Sequence, residues 1–140
     1  GVSSAQRPDT KSQVENALSV FRRDIGHLAQ PCRGPRRLVM AIQPFAPIAK
    51  PEISPEEEEL FALSPGAESS SYDATMARLR ETWPAYVTAL MGICRELGVC
   101  VIDLNALEYP GWCFVDLVHM TDRGYEVAAK AIDSQLKGMA

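Results

Sequence analysis

At 140 residues the chain is one domain's worth of sequence, long enough to bury a single core. Its 46% hydrophobic and 23% charged residues are ordinary globular values and exclude a disordered or fibrous chain. A formal net charge of −4 argues against nucleic-acid binding, which needs a concentrated positive face. Arg33, Arg36 and Arg37 do cluster, but they flank an expected helix end, where cations complement the dipole. The four cysteines, Cys32, Cys94, Cys100 and Cys113, show no paired C-x-x-C spacing, so no metal and no cofactor is expected. Cys94 and Cys100 read as small core side chains, and a disulfide pairing stays open. No apolar run is long enough to span a bilayer, and the first residues do not resemble a signal peptide. The compartment stays open.

Residues Gly1 to Thr10 carry no periodicity and read as a loop. Ser12 and Glu15 have capping-box spacing. Val14, Leu18, Phe21, Ile25 and Leu28 then form the stripe of an amphipathic helix, stopped by Gln30-Pro31 and Gly34-Pro35. His27 in its last turn suits the helix dipole. Leu38 to Ile42 is a short apolar run that suits a strand buried on both faces. Pro44, Pro47, Pro51, Pro55 and Pro65 punctuate a long loop holding one short helix, with Ser54 as its cap and Pro55 at its first position. Glu56 to Glu59 at that helix start read as complements to the dipole.

From Tyr72 the helical period returns through Met76, Leu79, Trp83, Val87, Leu90, Cys94 and Leu97. Pro84 predicts a kink or a fresh start, and Gly98 a C-terminal cap. Val99 to Leu104 is the second expected buried strand. A last helix capped by Thr121 should turn Tyr125, Ala128, Ile132 and Leu136 inward. Helices alternating with buried strands imply a parallel α/β sheet. Only two strands are visible, so the chain reads as part of a larger sheet whose exposed strand edge invites self-association.

Asp116 and His119 lie three residues apart, after the second strand and before the Thr121 cap. Such a loop at a strand's carboxyl end is where catalytic groups collect in α/β folds. An aspartate at this spacing can accept the imidazole Nδ1–H, which leaves Nε2 to take a proton. D-x-x-H alone equally fits a pair that ties down a loop, and with Asp122 a metal-dependent phosphoesterase is a further alternative. Trp112, four residues before Asp116, is the substrate-contact candidate, whereas Trp83 reads as core. Asp103 should satisfy backbone amides at the strand end.

The stretch Phe114-Val-Asp116-Leu-Val-His119-Met-Thr-Asp-Arg-Gly124-Tyr-Glu-Val-Ala128 resembles the last conserved block of the SGNH/GDSL hydrolase family. Upstream, Leu38 to Pro44 looks like that family's penultimate strand and Val99 to Leu104 like its last. The resemblance implies that residues 1–140 are the C-terminal portion of one such domain, a three-layer α/β/α, flavodoxin-like parallel sheet with its N-terminal strands missing. It implies a serine ester hydrolase or O-acyl transferase acting on a small-molecule or carbohydrate ester, with His119 as general base and Asp116 as the residue orienting it. The family's nucleophile sits in Gly-Asp-Ser, which does not occur here, and the oxyanion glycine and G-x-N-D block are not found either. Gly1-Val-Ser-Ser4 falls where G-x-N-D should end but lacks its Asn and Asp, and Ser69 to Ser71 read as a loop run. The competing expectation is a non-catalytic binding module.

Overall fold

A computed structural model describes residues 9–32, 37–63 and 70–139. Gly1-Val-Ser-Ser4, Arg33, Gly34-Pro35, Arg36, Pro65 and Ser69 lie outside the described residues, as do the side chains of Ser70 and Ser71. The elements in order are α1 (Thr10–Ala29), β1 (Val39–Ile42), α2 (Ala46–Ala49), α3 (Pro55–Ala62), α4 (Ser70–Glu96), β2 (Cys100–Asp103), a 3₁₀ turn (Leu104–Ala106) and α5 (Asp122–Gly138). Among the described residues no helix is long and apolar enough to cross a membrane. The chain divides into two compact units, Gly1–Leu38 with Ala85–Cys100, and Val39–Pro84 with Val101–Ala140.

In the first unit α1 starts two residues before Ser12. Asp9 is its cap and accepts the Ser12 amide at 2.9 Å, so the expected Ser12–Glu15 capping box does not form. With Asp9 as the cap, Ser12 is the third residue of the helix and its amide is one of the orphan donors that the Asp9 carboxylate satisfies. Val14, Leu18 and Phe21 are half-buried and Ile25 is buried, as the stripe predicts, but Leu28 lies in the open. Val87, Leu90, Ile93, Cys94 and Val99 are the other buried apolar residues of this unit. The end of α4 is a Schellman cap: Gly98 takes φ +70° while its amide donates to Arg95 O and the Val99 amide to Cys94 O. All four cysteines are free thiols.

α4 runs through Pro84 as one helix, so the alternative of a fresh start there does not occur. Thr82, two residues before the proline, donates its hydroxyl back to Arg78 O at 3.0 Å.

In the second unit β1 and β2 pair in parallel as a two-stranded sheet. This overturns the three-layer α/β/α expectation: 65% of the described residues are helical and two strands make up the sheet. Two strands about 5 Å apart make a ribbon too narrow to carry a helix layer on each face. Nor are they buried on both faces, since Ala41 is exposed and β2 buries only Ile102 among its four residues. The apolar mass instead collects beside the sheet. Ala46, Ala49, Tyr109, Cys113 and Phe114 form one buried cluster, with Phe61, Leu107, Met120 and Val127 packed on it. Ile102, Leu104 and Ala128 form a second, and Leu107 and Met120 touch both.

Thr121 caps α5 as expected, accepting the Gly124 amide. The inward face of α5 matches the expected one at Ala128 and at Ile132, which packs on the second cluster, and departs from it at Tyr125 and Leu136. Gly124 and Ala128 are buried, while Tyr125 and Leu136 are about half exposed. The cause is a close approach: a Cβ on Gly124 would lie 2.3 Å from the Cys113 carbonyl oxygen. With the smallest residue against the backbone, Tyr125, one position on, swings outward.

Candidate functional site

The Asp116–His119 loop is closed by a short ribbon. Phe114 and Met120 form an antiparallel bridge, the Val115 amide donates to His119 O at 2.9 Å, and the Thr121 amide donates to Cys113 O at 2.9 Å. Inside that closure Asp116 uses both carboxylate oxygens. Oδ1 accepts the amides of Val118 at 2.8 Å and His119 at 2.7 Å, and Oδ2 lies 2.7 Å from His119 Nδ1. Partial desolvation raises the Asp116 pKa, but the two amides and the His119 ring lower it further, so the carboxyl stays below its ordinary range. An ionised carboxylate has only acceptors, so Nδ1 is the ring nitrogen that donates to it, which in the neutral ring leaves the lone pair on Nε2. The His119 side chain is 66% exposed. The loop therefore holds an oriented imidazole that is open to solvent.

The loop is anchored from the carboxyl end of β1, and that anchor is in turn held from the carboxyl end of β2. After β1, the Ala46 amide donates to Leu117 O at 2.9 Å and Gln43 Nε2 to Val118 O at 3.2 Å. After β2, Asn105 accepts the Phe45 amide at 2.8 Å and donates to Gln43 O at 3.1 Å. Asp103 accepts the Asn105 amide at 2.9 Å, the end-of-strand role expected of it. Asn105 was not singled out in the sequence. A polar residue directly after a buried apolar run is a weak signal, because its bonds go to a segment 60 residues away.

Glu57 is the larger surprise. Far from being one of four solvated glutamates, it is completely buried. Its Oε1 accepts the amides of Cys113 at 2.9 Å and Phe114 at 3.0 Å, and its Oε2 accepts the Ser54 amide at 2.7 Å and the Lys50 ammonium. Lys50, also buried, donates in addition to Gly111 O. Burial pushes the Glu57 carboxyl up, yet Lys50 and the three amides outweigh it and hold the pKa below the ordinary value. The signal was the S-x-x-E spacing of Ser54 and Glu57, which forms a full capping box. Glu57 completes that box and reaches past it.

Trp112 is 45% exposed, with its indole N–H fixed to Phe114 O at 2.9 Å. Val115 and Val118 on the same loop are also exposed. Tyr109 packs edge-on to Phe114, with centroids 5.1 Å apart. Burial, foremost, pushes its phenol up to about 12, so it stays a donor, to Leu104 O at 2.9 Å. Among the described residues, no three His, Cys, Asp or Glu side chains converge as a metal site. Asp122 is simply the first residue of α5.

The site is thus a histidine–carboxylate pair on a loop clamped from three segments. No protein-family model matches the chain, and no curated protein does.

Proposed function

We propose that this chain supplies the base and its orienting carboxylate to a serine ester hydrolase or O-acyl transferase of SGNH type, acting on an ester or an acetylated carbohydrate. One observation carries the reading: Asp116 holds His119 Nδ1 at 2.7 Å while two backbone amides fix its other oxygen. His119 Nε2 removes the proton of an attacking serine hydroxyl, and the ionised Asp116 stabilises the imidazolium that forms. The same proton then passes to the leaving alkoxide. Trp112 lies on the substrate side as a flat apolar surface. The serine comes from outside the loop, since no Gly-Asp-Ser occurs in the sequence.

The test is hydrolysis of an aryl acetate by the chain in its full reading frame. His119→Ala and Asp116→Asn are each expected to lower kcat by about 10³–10⁴-fold, with labelling by a serine-directed phosphonate in the parent protein. Turnover unchanged by both substitutions would refute the assignment.

The second reading is a non-catalytic module that binds an ester-bearing ligand or a second copy of the chain. It is favoured by the lack of a Gly-Asp-Ser nucleophile motif in the sequence. On that reading His119→Ala leaves ligand affinity within about twofold, because an exposed imidazole contributes little binding energy.

A further inference from the structure

Below the ribbon that carries Asp116 and His119 sits a fully buried carboxylate that the proposed reaction does not use. Two consecutive backbone amides, Cys113 and Phe114, point into this interior, where each must find an acceptor. The ribbon cannot supply one, because its own cross-bonds start at Cys113 O and Val115 N. Glu57 Oε1 takes both. Its Oε2 faces the opposite way, onto Lys50 and the Ser54 amide, and Lys50 in turn holds Gly111 O, two residues before the clamped pair. The ribbon is thus gripped at positions 111, 113 and 114 by one ion pair. Two residues beyond Phe114 comes Asp116, and opposite Phe114 comes Met120, next to His119.

We propose that Glu57 is a positioning residue for the Asp116–His119 pair, with Lys50 holding the Glu57 carboxylate in place. The inference rests on the reading of that pair as a base and its orienter. Glu57 touches neither reacting atoms nor substrate. It acts by fixing the backbone of Cys113 and Phe114, which sets where the bridge to Met120 closes and so the span across which Asp116 meets His119. A carboxylate is suited to this because it accepts from both amides at one oxygen, with charge-assisted strength. Glutamine offers one neutral carbonyl oxygen in place of two charged ones, and its amide group would face either Lys50 or the ribbon amides donor to donor.

The experiment is ¹⁵N–¹H NMR of the His119 imidazole in the full chain, with hydrogen exchange of the ribbon amides. The intact chain should show the Nδ1–H tautomer as the major form. Glu57→Gln should remove that preference and speed exchange at Val115 and Thr121 by about tenfold or more. Glu58→Gln, an exposed neighbour, should change neither, and Ile25→Ala should lower stability without moving the tautomer. Those two controls separate positioning from general loss of stability. A folded Glu57→Gln chain with the tautomer unchanged would overturn the proposal. Should that variant not fold, the unsubstituted chain decides: Cys113, Phe114, Val115 and Thr121 amides should open together with one denaturant dependence, and independent opening would overturn it. Asp116→Asn checks the underlying reading separately, because a tautomer indifferent to that change would sink the base pair itself and leave the Glu57 clamp untouched.

Discussion

Gly124→Ala is expected to destabilise the chain by about 3 kcal/mol, at the upper end of what overpacking does. The new Cβ would stand 2.3 Å from Cys113 O and 2.9 Å from Met120 Cβ. A flexible side chain could yield, but the nearer atom belongs to the backbone, and it already accepts the Thr121 amide. Relief therefore requires the ribbon to move away from α5, which stretches the Thr121–Cys113 bond and the span between Asp116 and His119. A fall in Tm of roughly 10 °C corresponds to that loss for a domain of this size. Gly26→Ala is the matched comparison. Nothing lies within 4 Å of its added Cβ, and it sits inside α1, so it should gain about 0.5–1 kcal/mol. Equal effects of the two changes in thermal melts would show that the close approach at Gly124 does not matter.

Lys50→Met should cost more still, about 3–5 kcal/mol at neutral pH, because it leaves the Glu57 carboxylate buried without its counter-charge. Its pH dependence is the sharper measure. In the native chain the Glu57 pKa lies below its ordinary value of 4.5. A carboxyl lowered by folding contributes stability in full above its unfolded pKa, and that contribution disappears as pH falls through the folded one. Asp116 shifts in the same direction and adds to the loss. In urea titrations the native chain should therefore change little between pH 6 and about pH 5 and weaken progressively below that. In Lys50→Met the largest cause lowering the Glu57 pKa is gone while burial still raises it and the three amides still lower it, so the Glu57 contribution shrinks and acid narrows the gap between variant and native chain. A gap that stays constant across this range would mean the ion pair adds nothing specific. Adding Glu57→Gln to Lys50→Met should recover part of the deficit, since the unpaired charge goes with it.

Much of the local structure was legible. The α1 stripe, the Ser54–Pro55 start, Gly98 as a left-handed stop and the Thr121 cap all follow from short-range sterics and hydrogen bonding, which residues a few positions apart decide among themselves. The Asp116–His119 geometry was legible for the same reason: three residues and one turn contain it. The missed features share long sequence separation. Glu57 reads as one of four equivalent acids until the chain 56 residues later presents two amides to it. The direction of Tyr125 depended on how near α5 comes to Cys113 O, a distance that helical periodicity does not encode. The fold class failed for a related reason. Two apolar runs identified two strands correctly, but the three-layer sandwich came from the family resemblance, and a two-stranded sheet with Ala41 in solvent does not support helix layers on both faces.

Cys113 gives the clamp a built-in chemical reporter. Its thiol is wholly enclosed, pushed up in pKa chiefly by burial, and donates to Pro110 O at 3.4 Å, while the amide of the same residue is held by Glu57. Sulfur and clamp must therefore come into solvent together. The rate at which iodoacetamide modifies Cys113, set against the half-buried Cys32 elsewhere in the chain, counts how often the ribbon lets go. A slow alkylation clock thus runs inside the protein, readable by mass spectrometry without any substitution at all.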